Sequence, residues 1–503
     1  MILERSGRAA AELALDDGVR ARSFGELDLR VRRIARLLRD ELGVAPDEHV
    51  AVLMGNRAEV VELLLGAICA GVWLTPINQH LAPGEIAYVA ADSGAKWLFA
   101  DPEHAEIARA LGGPRVLVAG AELEERIAAA SDAPMPAEGP PGANMIYTSG
   151  TTGRPKGVRR VRQPTLAQQL DFAAAQGRAV GLDGSGPHLV TGPLYHSAPL
   201  MFGVYDLLNG APLIAMPRWD ERLALRLLAE RRIRHTHLVP TMFVRLLRLP
   251  EEERARCDLS ALRLALHGAA PISRAVKQRM LDWWGDRLVE YWGGTESGVV
   301  TLARGDEWRA HPGTVGRALP HYQVYAVDAA GQRLPPGASG ELLARHLREP
   351  QVFSYHRDPE KTARCYAEPG AFTLGDIGWV DEQGFVFLSE RRSHTIISGG
   401  VNVYPAEIEA VLQEHPAVAD VAVFGIPDDE WGESVKAAVE LRPGFAAGDA
   451  LARELLDFAR QQLAGFKVPR SIDFEAELPR FPSGKLYLRR LRDRYWSGRE
   501  RQI

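Results

Sequence analysis

The first seventy or so residues alternate between amphipathic helical patterns and short apolar runs. Ser23 followed by Glu26 forms a capping box, and apolar residues then recur at helical spacing, which predicts a helix that ends near Asp40. The apolar segment HVAVLMG predicts a strand, a second helix is expected from about Glu59 to Ala70, and an extended stretch, WLTPI, follows. Strands and helices in this alternation predict parallel β-sheets covered by helices.

The C-terminal part of the chain has a different pattern. PAEIEAVLQEHP predicts a helix, and VADVAVFGI and VKAAVEL predict strands, so this part is expected to form a compact α+β unit. We place the boundary near Arg392, which gives a large N-terminal domain of residues 1–392 and a small C-terminal domain of residues 393–503. A chain of 503 residues is too long for one hydrophobic core, which agrees with two domains.

Composition excludes several classes of protein. Hydrophobic residues make up 46% and charged residues 25% of the chain, as in ordinary globular proteins, and the net charge of −5 gives no basic field for nucleic acid. Cys69, Cys257 and Cys365 lie far apart without CxxC spacing, so neither disulfides nor zinc are indicated and a cytoplasmic location is expected. The longest apolar run, residues 63–77, is interrupted and too short for a membrane span, so no integral membrane association is expected.

The segment YTSGTTGRPKGV, residues 147–158, carries the most chemical information. Its glycines let backbone N–H groups approach an anion closely, its hydroxyl side chains add donors, and Lys156 adds a positive charge. These features predict a phosphate-binding loop, but Lys156 is followed by Gly, so the segment does not fit the GxxxxGK[ST] pattern of P-loop NTPases. The residues that we assign to the nucleotide phosphates are Thr148, Ser149, Gly150, Thr151, Thr152, Gly153 and Lys156.

This segment resembles the phosphate-binding signature of the adenylate-forming (ANL) superfamily, which includes acyl-CoA synthetases, peptide-synthetase adenylation domains and beetle luciferases. LGAICAGVWLTPIN at residues 65–78 resembles the N-terminal segment of that family. PLYHS at residues 193–197 resembles the segment whose histidine, here His196, lies between the acyl pocket and the thiol tunnel. The resemblance implies an α/β fold, with a large N-terminal domain of β-sheets covered by helices and a small mobile α+β C-terminal domain.

YWGGTE, residues 291–296, resembles the aromatic–Gly–x–Thr–Glu motif of the family. The resemblance implies that Trp292 stacks on adenine and that the acyl chain passes close to the backbone at Gly293. It also implies that Thr295 and Glu296 orient the α-phosphate and that Glu296 holds Mg²⁺. Both residues are therefore assigned to the catalytic group.

Two charged residues and a hinge follow from the same resemblance. Asp376, in TLGDIGWV, corresponds to the acidic residue that hydrogen-bonds both ribose hydroxyls, and Arg391 matches an arginine that contacts the nucleotide. Ser393 stands at the hinge, where the family usually has Asp or Lys. Glu390 and His394 also depart from the usual Gly and Asp, so the rate and resting orientation of domain rotation are open.

The remaining assignments concern the acyl acceptor and the first reaction step. Gly399 and Gly400 should form the thin wall along which the pantetheine of coenzyme A runs, because only glycine allows such close approach. Lys485, in LPRFPSGKLYLR, matches the catalytic lysine of the family and would stabilise charge on the attacking carboxylate and on the leaving pyrophosphate.

The acyl pocket is expected between PLYHSAPLMF, HGAAP and YWGG. No Arg or Lys in these segments is placed to meet a second carboxylate, so a hydrophobic monocarboxylic acid is the expected substrate. The size of the acid, including chain length or a polycyclic skeleton, stays open. The residues expected to line the pocket are Met201, Phe202, Gly268, Ala269, Tyr291 and Gly293.

Together, these assignments predict an AMP-forming acyl-CoA ligase that uses ATP, Mg²⁺ and coenzyme A and serves lipid metabolism. The alternative is a stand-alone adenylating or thioesterifying enzyme of natural-product biosynthesis, which loads a carrier protein or transfers an acyl group to coenzyme A. A luciferase and a non-enzymatic nucleotide-binding module are weaker alternatives. The predicted partners are the carboxylic acid, the thiol acceptor and a second copy of the chain in a homodimer.

Overall fold

The computed structural model describes residues 2–148, 155–270, 272, 274–391, 396–479 and 488–497 of the chain. Within these ranges no helix combines the length and the apolar character that crossing a bilayer requires.

The α-helices of the described residues, in chain order, are α1 (Ile2–Ser6), α2 (Phe24–Arg36), α3 (Ala58–Ala70), α4 (Pro83–Ser93), α5 (Ala105–Ala110), α6 (Ala121–Ala129), α7 (Leu166–Ala179), α8 (Ser197–Leu208), α9 (Glu221–Glu230), α10 (Pro240–Arg248), α11 (Glu251–Ala255), α12 (Arg274–Trp284), α13 (Gly305–Ala310), α14 (Pro359–Cys365), α15 (Pro405–Gln413), α16 (Asp449–Gln462) and α17 (Leu488–Trp496). A π-helical turn, Leu37–Glu41, continues α2, and two short 3₁₀ turns span Pro102–His104 and Gly285–Arg287.

The strands of the described residues are β1 (Leu13–Asp16), β2 (Ala21–Ser23), β3 (His49–Leu53), β4 (Trp73–Pro76), β5 (Ala95–Ala100), β6 (Arg115–Val118), β7 (Ala143–Asn144), β8 (Ile146–Thr148), β9 (Lys156–Arg160), β10 (His188–Val190), β11 (Leu213–Ala215), β12 (His235–Leu238), β13 (Leu264–His267), β14 (Leu288–Gly294), β15 (Gly298–Ala303), β16 (Thr314–Ala318), β17 (Tyr322–Val327), β18 (Gly340–His346), β19 (Phe353–Tyr355), β20 (Tyr366–Glu368), β21 (Ala371–Val380), β22 (Phe385–Arg391), β23 (Ile396–Ser398), β24 (Val401–Val403), β25 (Val418–Asp428), β26 (Gly432–Leu441) and β27 (Ser471–Glu475).

The predicted alternation of strands and helices builds a parallel five-stranded sheet in the order β6-β5-β3-β4-β7. Its central strand β3 is buried along its whole length, as expected of a strand covered on both faces. The capping box of Ser23 and Glu26 starts α2 as predicted, although the α-helix ends at Arg36 and gives way to the π-helical turn. The helices α2 and α3 pack on each other, and every residue of α3 is buried.

The second sheet of the large domain has fourteen strands. Its middle section, β11-β10-β12-β13-β14, is parallel, and the strands from β14 through β15, β16, β22, β21, β18 and β17 are antiparallel. In an open sheet of this kind ligands bind beyond the carboxyl ends of the parallel strands. HGAAP begins at the last residue of β13, and YWGGTE includes the end of β14, so both segments start at that edge.

The helix α8 is fixed to this sheet by a buried polar cluster. The carboxylate of Asp206, on α8, accepts hydrogen bonds from Nδ1 of His188 on β10 at 2.9 Å and from Nδ1 of His235 on β12 at 2.7 Å. Burial raises the pKa of Asp206, but the hydrogen bonds from both histidines outweigh that effect and lower it to about 2. The cluster therefore holds α8 against two neighbouring strands.

The small domain forms a separate five-stranded sheet, β24-β23-β26-β25, with β27 pairing in parallel with β26. Its core is its own and includes Ile396, Val423 and Leu455. The strand β22, which ends at Arg391, belongs to the sheet of the large domain, and the next strand, β23, belongs to the sheet of the small domain. The chain therefore passes from one domain to the other between these two strands. The boundary at residues 392 and 393 and the hinge Ser393 lie outside the described residues and stay predictions. The predicted fold, an α/β large domain with an α+β small domain, is confirmed.

The two domains are in direct contact. The ammonium group of Lys467 in the small domain binds Glu85 of α4 in the large domain and also Glu407 of its own domain, at 2.7 Å. A guanidinium nitrogen of Arg248, on α10, donates to the main-chain oxygen of Asp429. These contacts define what we call the docked arrangement of the domains.

Candidate active site

A cavity of about 380 Å³ lies between the large domain and the turn that joins β23 to β24. Its walls come from the segment around α8, from the ends of β8 and β14 and from the small domain, so it brings together distant parts of the chain. The predicted site residues that line it are Thr148, His196, Met201, Phe202, Ala269, Tyr291, Gly293, Thr295, Gly399 and Gly400.

One wall of the cavity is a face of α8. Ala198, Met201, Phe202 and Tyr205 recur at the spacing of one helix face, and all four line the cavity. The ring of Phe202 meets that of Tyr291 edge to face at a centroid distance of 5.4 Å. Such contacts give the wall a defined apolar surface, as predicted for an acyl pocket.

Two histidines line this wall without carrying a charge at neutral pH. Burial lowers the pKa of His196 to about 4 and that of His237 to about 3. Nε2 of His237 is 3.1 Å from the hydroxyl of Tyr291. His237 was not predicted from the sequence, because a histidine inside a buried strand resembles an ordinary core residue.

The HGAAP segment shapes the cavity through its backbone. A Cβ atom at Gly268 would lie 2.7 Å from the carbonyl oxygen of Tyr291, so glycine is needed for close packing there. Gly268 supports Tyr291 and is not among the residues that line the cavity. Ala269 does line it and has a φ of 64°, a left-handed conformation that is unusual for alanine and often stands at functional sites.

Charged residues lie close to both ends of the segment predicted to bind phosphate. Thr148 and Lys156 pair in antiparallel register across β8 and β9, and Lys156 forms an ion pair with Asp358 at 3.2 Å. The Tyr355 hydroxyl donates to Glu296 Oε1 at 2.9 Å, which fixes this carboxylate. Outside the described residues lie Ser149, Gly150, Thr151, Thr152 and Gly153.

Lys361 adds a cation that the sequence analysis missed. Its amine lies 4.3 Å from the ring centre of Tyr355, and burial lowers its pKa. In the part of the chain that the structure describes, no group of three or more His, Cys, Asp or Glu side chains could hold a metal ion. Glu296 offers one carboxylate, which fits a Mg²⁺ ion bound mainly by nucleotide phosphates and water.

Three residues assigned to the nucleotide lie together. The indole Nε1 of Trp292 donates to Oδ2 of Asp376 at 2.8 Å, and Asp376 pairs with Arg391 in the register of β21 and β22. Trp292 and Asp376 are both buried. The indole thus orients the carboxylate assigned to the ribose, a role for Trp292 that comes in addition to the predicted stacking on adenine.

The glycine turn of the small domain closes the cavity. Gly399 and Gly400 have φ values of 62° and 82°, and a Cβ atom at Gly400 would lie 2.9 Å from Cγ2 of Val239 in the large domain. The main-chain N–H of Gly399 donates to the carbonyl oxygen of Trp431 at 2.8 Å. Only glycine fits this close approach of two domains, as the sequence predicts for a thiol tunnel.

The three predicted pocket segments contain no Arg or Lys placed to meet a second carboxylate, but arginines from other segments reach the cavity. Arg160 on β9 and Arg245 on α10 both line the cavity. Arg160 stands two positions after the buried Val158, so both side chains lie on the same face of β9. This spacing is the signal in the sequence that could have indicated an inward-facing arginine. β9 is not part of the three segments predicted to form the pocket.

A large and a small domain that enclose an apolar cavity, with a glycine turn of the small domain on one side and the hairpin of β8 and β9 on another, have the architecture of an adenylate-forming enzyme. The chain belongs to the AMP-binding enzyme family. Residues 4–354 match this family, and residues 407–485 match the AMP-binding enzyme C-terminal domain. Lys485 lies outside the described residues and within the range of the C-terminal match.

Relatives specify the type of ligase. The chain is 36% identical to a feruloyl-CoA synthase from Amycolatopsis sp., over 96% of each chain. It is 33% identical to the fatty acid–[acyl-carrier-protein] ligase ScoC of Streptomyces coeruleorubidus, over 96% of this chain and 93% of ScoC. These similarities place the chain among the AMP-forming acid–thiol ligases, which use ATP.

Solved structures agree in fold over nearly the whole chain. The amide bond synthetase McbA of Marinactinospora thermotolerans superposes with a TM-score of 0.85 at 29% identity, covering 98% of this chain and 99% of McbA. A double mutant of the o-succinylbenzoate CoA synthetase of Bacillus subtilis, bound with the product analogue OSB-NCoA, gives 0.84 at 26% identity, with 98% of both chains covered. The same synthetase with the acyl-adenylate OSB-AMP gives 0.68 at 26% identity, covering 98% of this chain and 97% of that one.

Proposed function

We propose that the protein is an ATP-dependent acyl-CoA ligase that converts a hydrophobic monocarboxylic acid to its acyl-adenylate and then to its coenzyme A thioester. One observation carries the proposal: the apolar wall of α8 and the glycine turn of Gly399 and Gly400 enclose the same cavity. An acyl group bound along α8 would meet a thiol that enters beside the glycines. Acid activation and thioester formation can therefore use one site.

In the first half-reaction a carboxylate oxygen of the acid attacks the α-phosphorus of ATP, and the bond from this phosphorus to the bridging oxygen breaks to release pyrophosphate. Positioning and charge neutralisation are what such a displacement needs from a protein. We assign these tasks to Thr295, Lys156 and Lys485. Glu296 would hold Mg²⁺, which when bound would neutralise phosphate charge.

Asp376, oriented by the indole of Trp292, would accept hydrogen bonds from the ribose hydroxyls.

In the second half-reaction the thiol gives up its proton to water and its sulfur attacks the acyl carbonyl carbon, the bond from this carbon to the phosphate oxygen breaks, and AMP leaves. A neutral His196 suits a position between the acyl pocket and the thiol tunnel, because a charge there would lose its hydration when both substrates bind. The higher TM-score with the OSB-NCoA complex than with the OSB-AMP complex supports assigning the docked arrangement to this step.

The second candidate is an enzyme that transfers the acyl group to a carrier protein. The similarity to ScoC favours it, since that relative is a fatty acid–[acyl-carrier-protein] ligase. Both candidates share the adenylation step and differ only in the acceptor. We further assign the enzyme to the cytoplasm and to lipid metabolism; Cys69, Cys257 and Cys365 form no disulfide with one another, which suits a reducing compartment.

The decisive experiment incubates the protein with ATP, Mg²⁺ and a panel of acids, and measures pyrophosphate release and the acyl product by mass spectrometry. Coenzyme A, a phosphopantetheinylated carrier protein and a simple amine are offered as acceptors in parallel. Predominant acyl-CoA formation supports the first candidate and acyl-carrier formation the second. Absence of pyrophosphate release with every acid would refute both.

The variant Lys485→Ala tests the two-step assignment. Because the lysine would act only on the attacking carboxylate and on leaving pyrophosphate, we expect acyl-adenylate formation to fall by orders of magnitude. Thioester formation from chemically made acyl-adenylate should continue at a rate near that of the unmodified protein. Arg490→Ala, which removes an exposed cation nearby on α17, is the control. Parallel loss of both half-reactions in Lys485→Ala would contradict the assignment.

A further inference from the structure

The cavity ends in polar groups beyond its apolar wall. Arg160 and Gln176 line it together with Tyr205, and a guanidinium nitrogen of Arg160 donates to the Tyr205 hydroxyl at 3.5 Å. Tyr205 stands nine positions after His196 along α8, which corresponds to about 13 Å at 1.5 Å per residue. The basic end is therefore remote from the proposed thiol tunnel near His196.

The charge of Arg160 is not balanced by the protein around it. Among the described residues no carboxylate lies within ion-pair distance of its guanidinium, whereas Arg30 of the same domain pairs with both Glu62 and Glu124. The titratable neighbours include His321, whose pKa is lowered by burial and further by the positive charge of Arg160. At neutral pH this end of the cavity consequently carries a net positive charge.

Rigid elements hold the guanidinium in place. Arg160 pairs with Phe353 across β9 and β19, and the opposite wall is α8, fixed through Asp206. Gly298, with a φ of 70°, provides the space, since a Cβ atom there would lie 3.0 Å from two nitrogens of Arg160. A cation that is fixed in position and has no carboxylate partner among the described residues has the features of a binding group.

We infer that Arg160, assisted by Tyr205 and Gln176, determines substrate specificity by binding an oxygen acceptor at the end of the acid distal to its reacting carboxylate. This inference rests on the proposed function and deepens it by naming a substrate class. The acid has a hydrophobic body that packs along α8 and a terminal oxygen, as in a hydroxyl or ketone group, or in a second carboxylate, which would replace the monocarboxylic acid of the proposed function by a dicarboxylic acid.

The energetics favour such a terminus over an apolar one. A terminal methyl group would displace water from the guanidinium without replacing its hydrogen bonds, which leaves a charged donor unsatisfied. A terminal oxygen replaces those bonds. Sites that bind a polar substrate group reject an analogue without it more strongly than apolar pockets reject an extra methylene.

The test compares cinnamic acids that differ only in the para substituent: methyl, hydroxyl, acetyl and carboxylate. We measure kcat/KM for pyrophosphate release with each acid. The unmodified protein should prefer at least one oxygen-bearing acid over the methyl acid by tenfold or more, and the best of the three identifies which oxygen the site takes. The variant Arg160→Met should bring this ratio close to one.

Arg159→Met is the matched control. This adjacent arginine lies on the other face of β9, with Nη2 2.6 Å from Nε2 of His49 and its guanidinium over Trp73, so the substrate preference should persist. Tyr205→Phe should weaken the preference without abolishing it, because the charge remains. If Arg160→Met does not fold, Arg160→Lys, which keeps a charge but loses the planar donor geometry, should lower the preference for the oxygen-bearing acid.

The inference is overturned if the unmodified protein uses the methyl acid as well as the oxygen-bearing acids, or if Arg160→Met, or Arg160→Lys in its place, keeps the full preference. If neither these cinnamic acids nor any acid of the panel described above releases pyrophosphate with any form of the protein, the proposed function itself fails.

Discussion

Replacing Glu85 by Gln removes one negative charge from the contact between the domains and preserves the large domain. Glu85 Oε2 accepts hydrogen bonds from the N–H of Ala82, at the start of α4, and from that of Ala464 in the small domain. A glutamine oxygen can accept both, and Gln is as suitable as Glu in a capping box. What is lost is the charge that faces Lys467, itself also bound to Glu407.

The size of the effect follows from burial. The side chain of Lys467 is 4% exposed and that of Glu85 10%, so water screens their attraction poorly. A hydrogen bond to a charged group contributes about 1.5–3 kcal/mol, and relief of the repulsion between Glu85 and Glu407 offsets part of this loss. We expect the docked arrangement to be weakened by about 1.5 kcal/mol, roughly tenfold in its equilibrium constant.

The assay measures each half-reaction separately, as pyrophosphate release from ATP and as thioester formation from supplied acyl-adenylate. If the docked arrangement performs the second step and the undocked one the first, the ratio of the two rates is proportional to the docking equilibrium constant. The thioester-to-adenylation ratio should therefore fall about tenfold in Glu85→Gln, whichever arrangement predominates. Glu138→Gln, a change at an exposed loop carboxylate, is the control. An unchanged ratio in Glu85→Gln, or an equal change in the control, would refute the reasoning.

Two further predictions use the same ratio. Gly400→Ala places a Cβ atom 2.9 Å from Val239 only when the domains are docked, so thioester formation should fall by about tenfold or more while adenylation continues. Gly444→Ala, also at positive φ but with open space around it, should leave the ratio unchanged; equal effects would point to backbone strain alone. Burial raises the pKa of Glu407 to about 7, and Glu85 adds to the rise although Lys467 opposes it. When the domains separate, Glu85 moves away from Glu407 and the pKa of Glu407 falls, so docking is accompanied by uptake of a proton. The thioester-to-adenylation ratio should therefore fall as pH rises through about 7. A ratio independent of pH, or one that rises, would contradict this.

Much of the fold was predictable because its signals are local. The capping box that starts α2, the apolar run of β3 and the helix and strands of the small domain follow from residues a few positions apart. The walls of the acyl cavity were anticipated for a similar reason, since each wall belongs to one continuous segment. Glycines in the segments predicted to bind phosphate and to form the tunnel indicate that a ligand could approach the backbone closely, but not from which direction.

Contacts between distant positions were not predictable. Lys467 and Glu85 are separated by 382 positions, and nothing in either segment marks the other as its partner. The hydrogen bond from Trp292 to Asp376 joins positions 84 apart, so the sequence indicated a stacking aromatic ring and gave no sign of its N–H partner. Arg160 was overlooked because its role depends on α8 passing in front of β9.

The anchoring of α8 by His188, Asp206 and His235 also bears on how substrate range can change during evolution. Because the helix axis is fixed from behind, exchanging Met201 or Tyr205 alters the depth of the cavity in steps of about one turn, 5.4 Å, and leaves the backbone in place. The carboxylates assigned to ribose and Mg²⁺ belong to other elements of the large domain. Mutation along one helix face can therefore give descendants of this protein new acids to activate while they inherit the ATP chemistry intact.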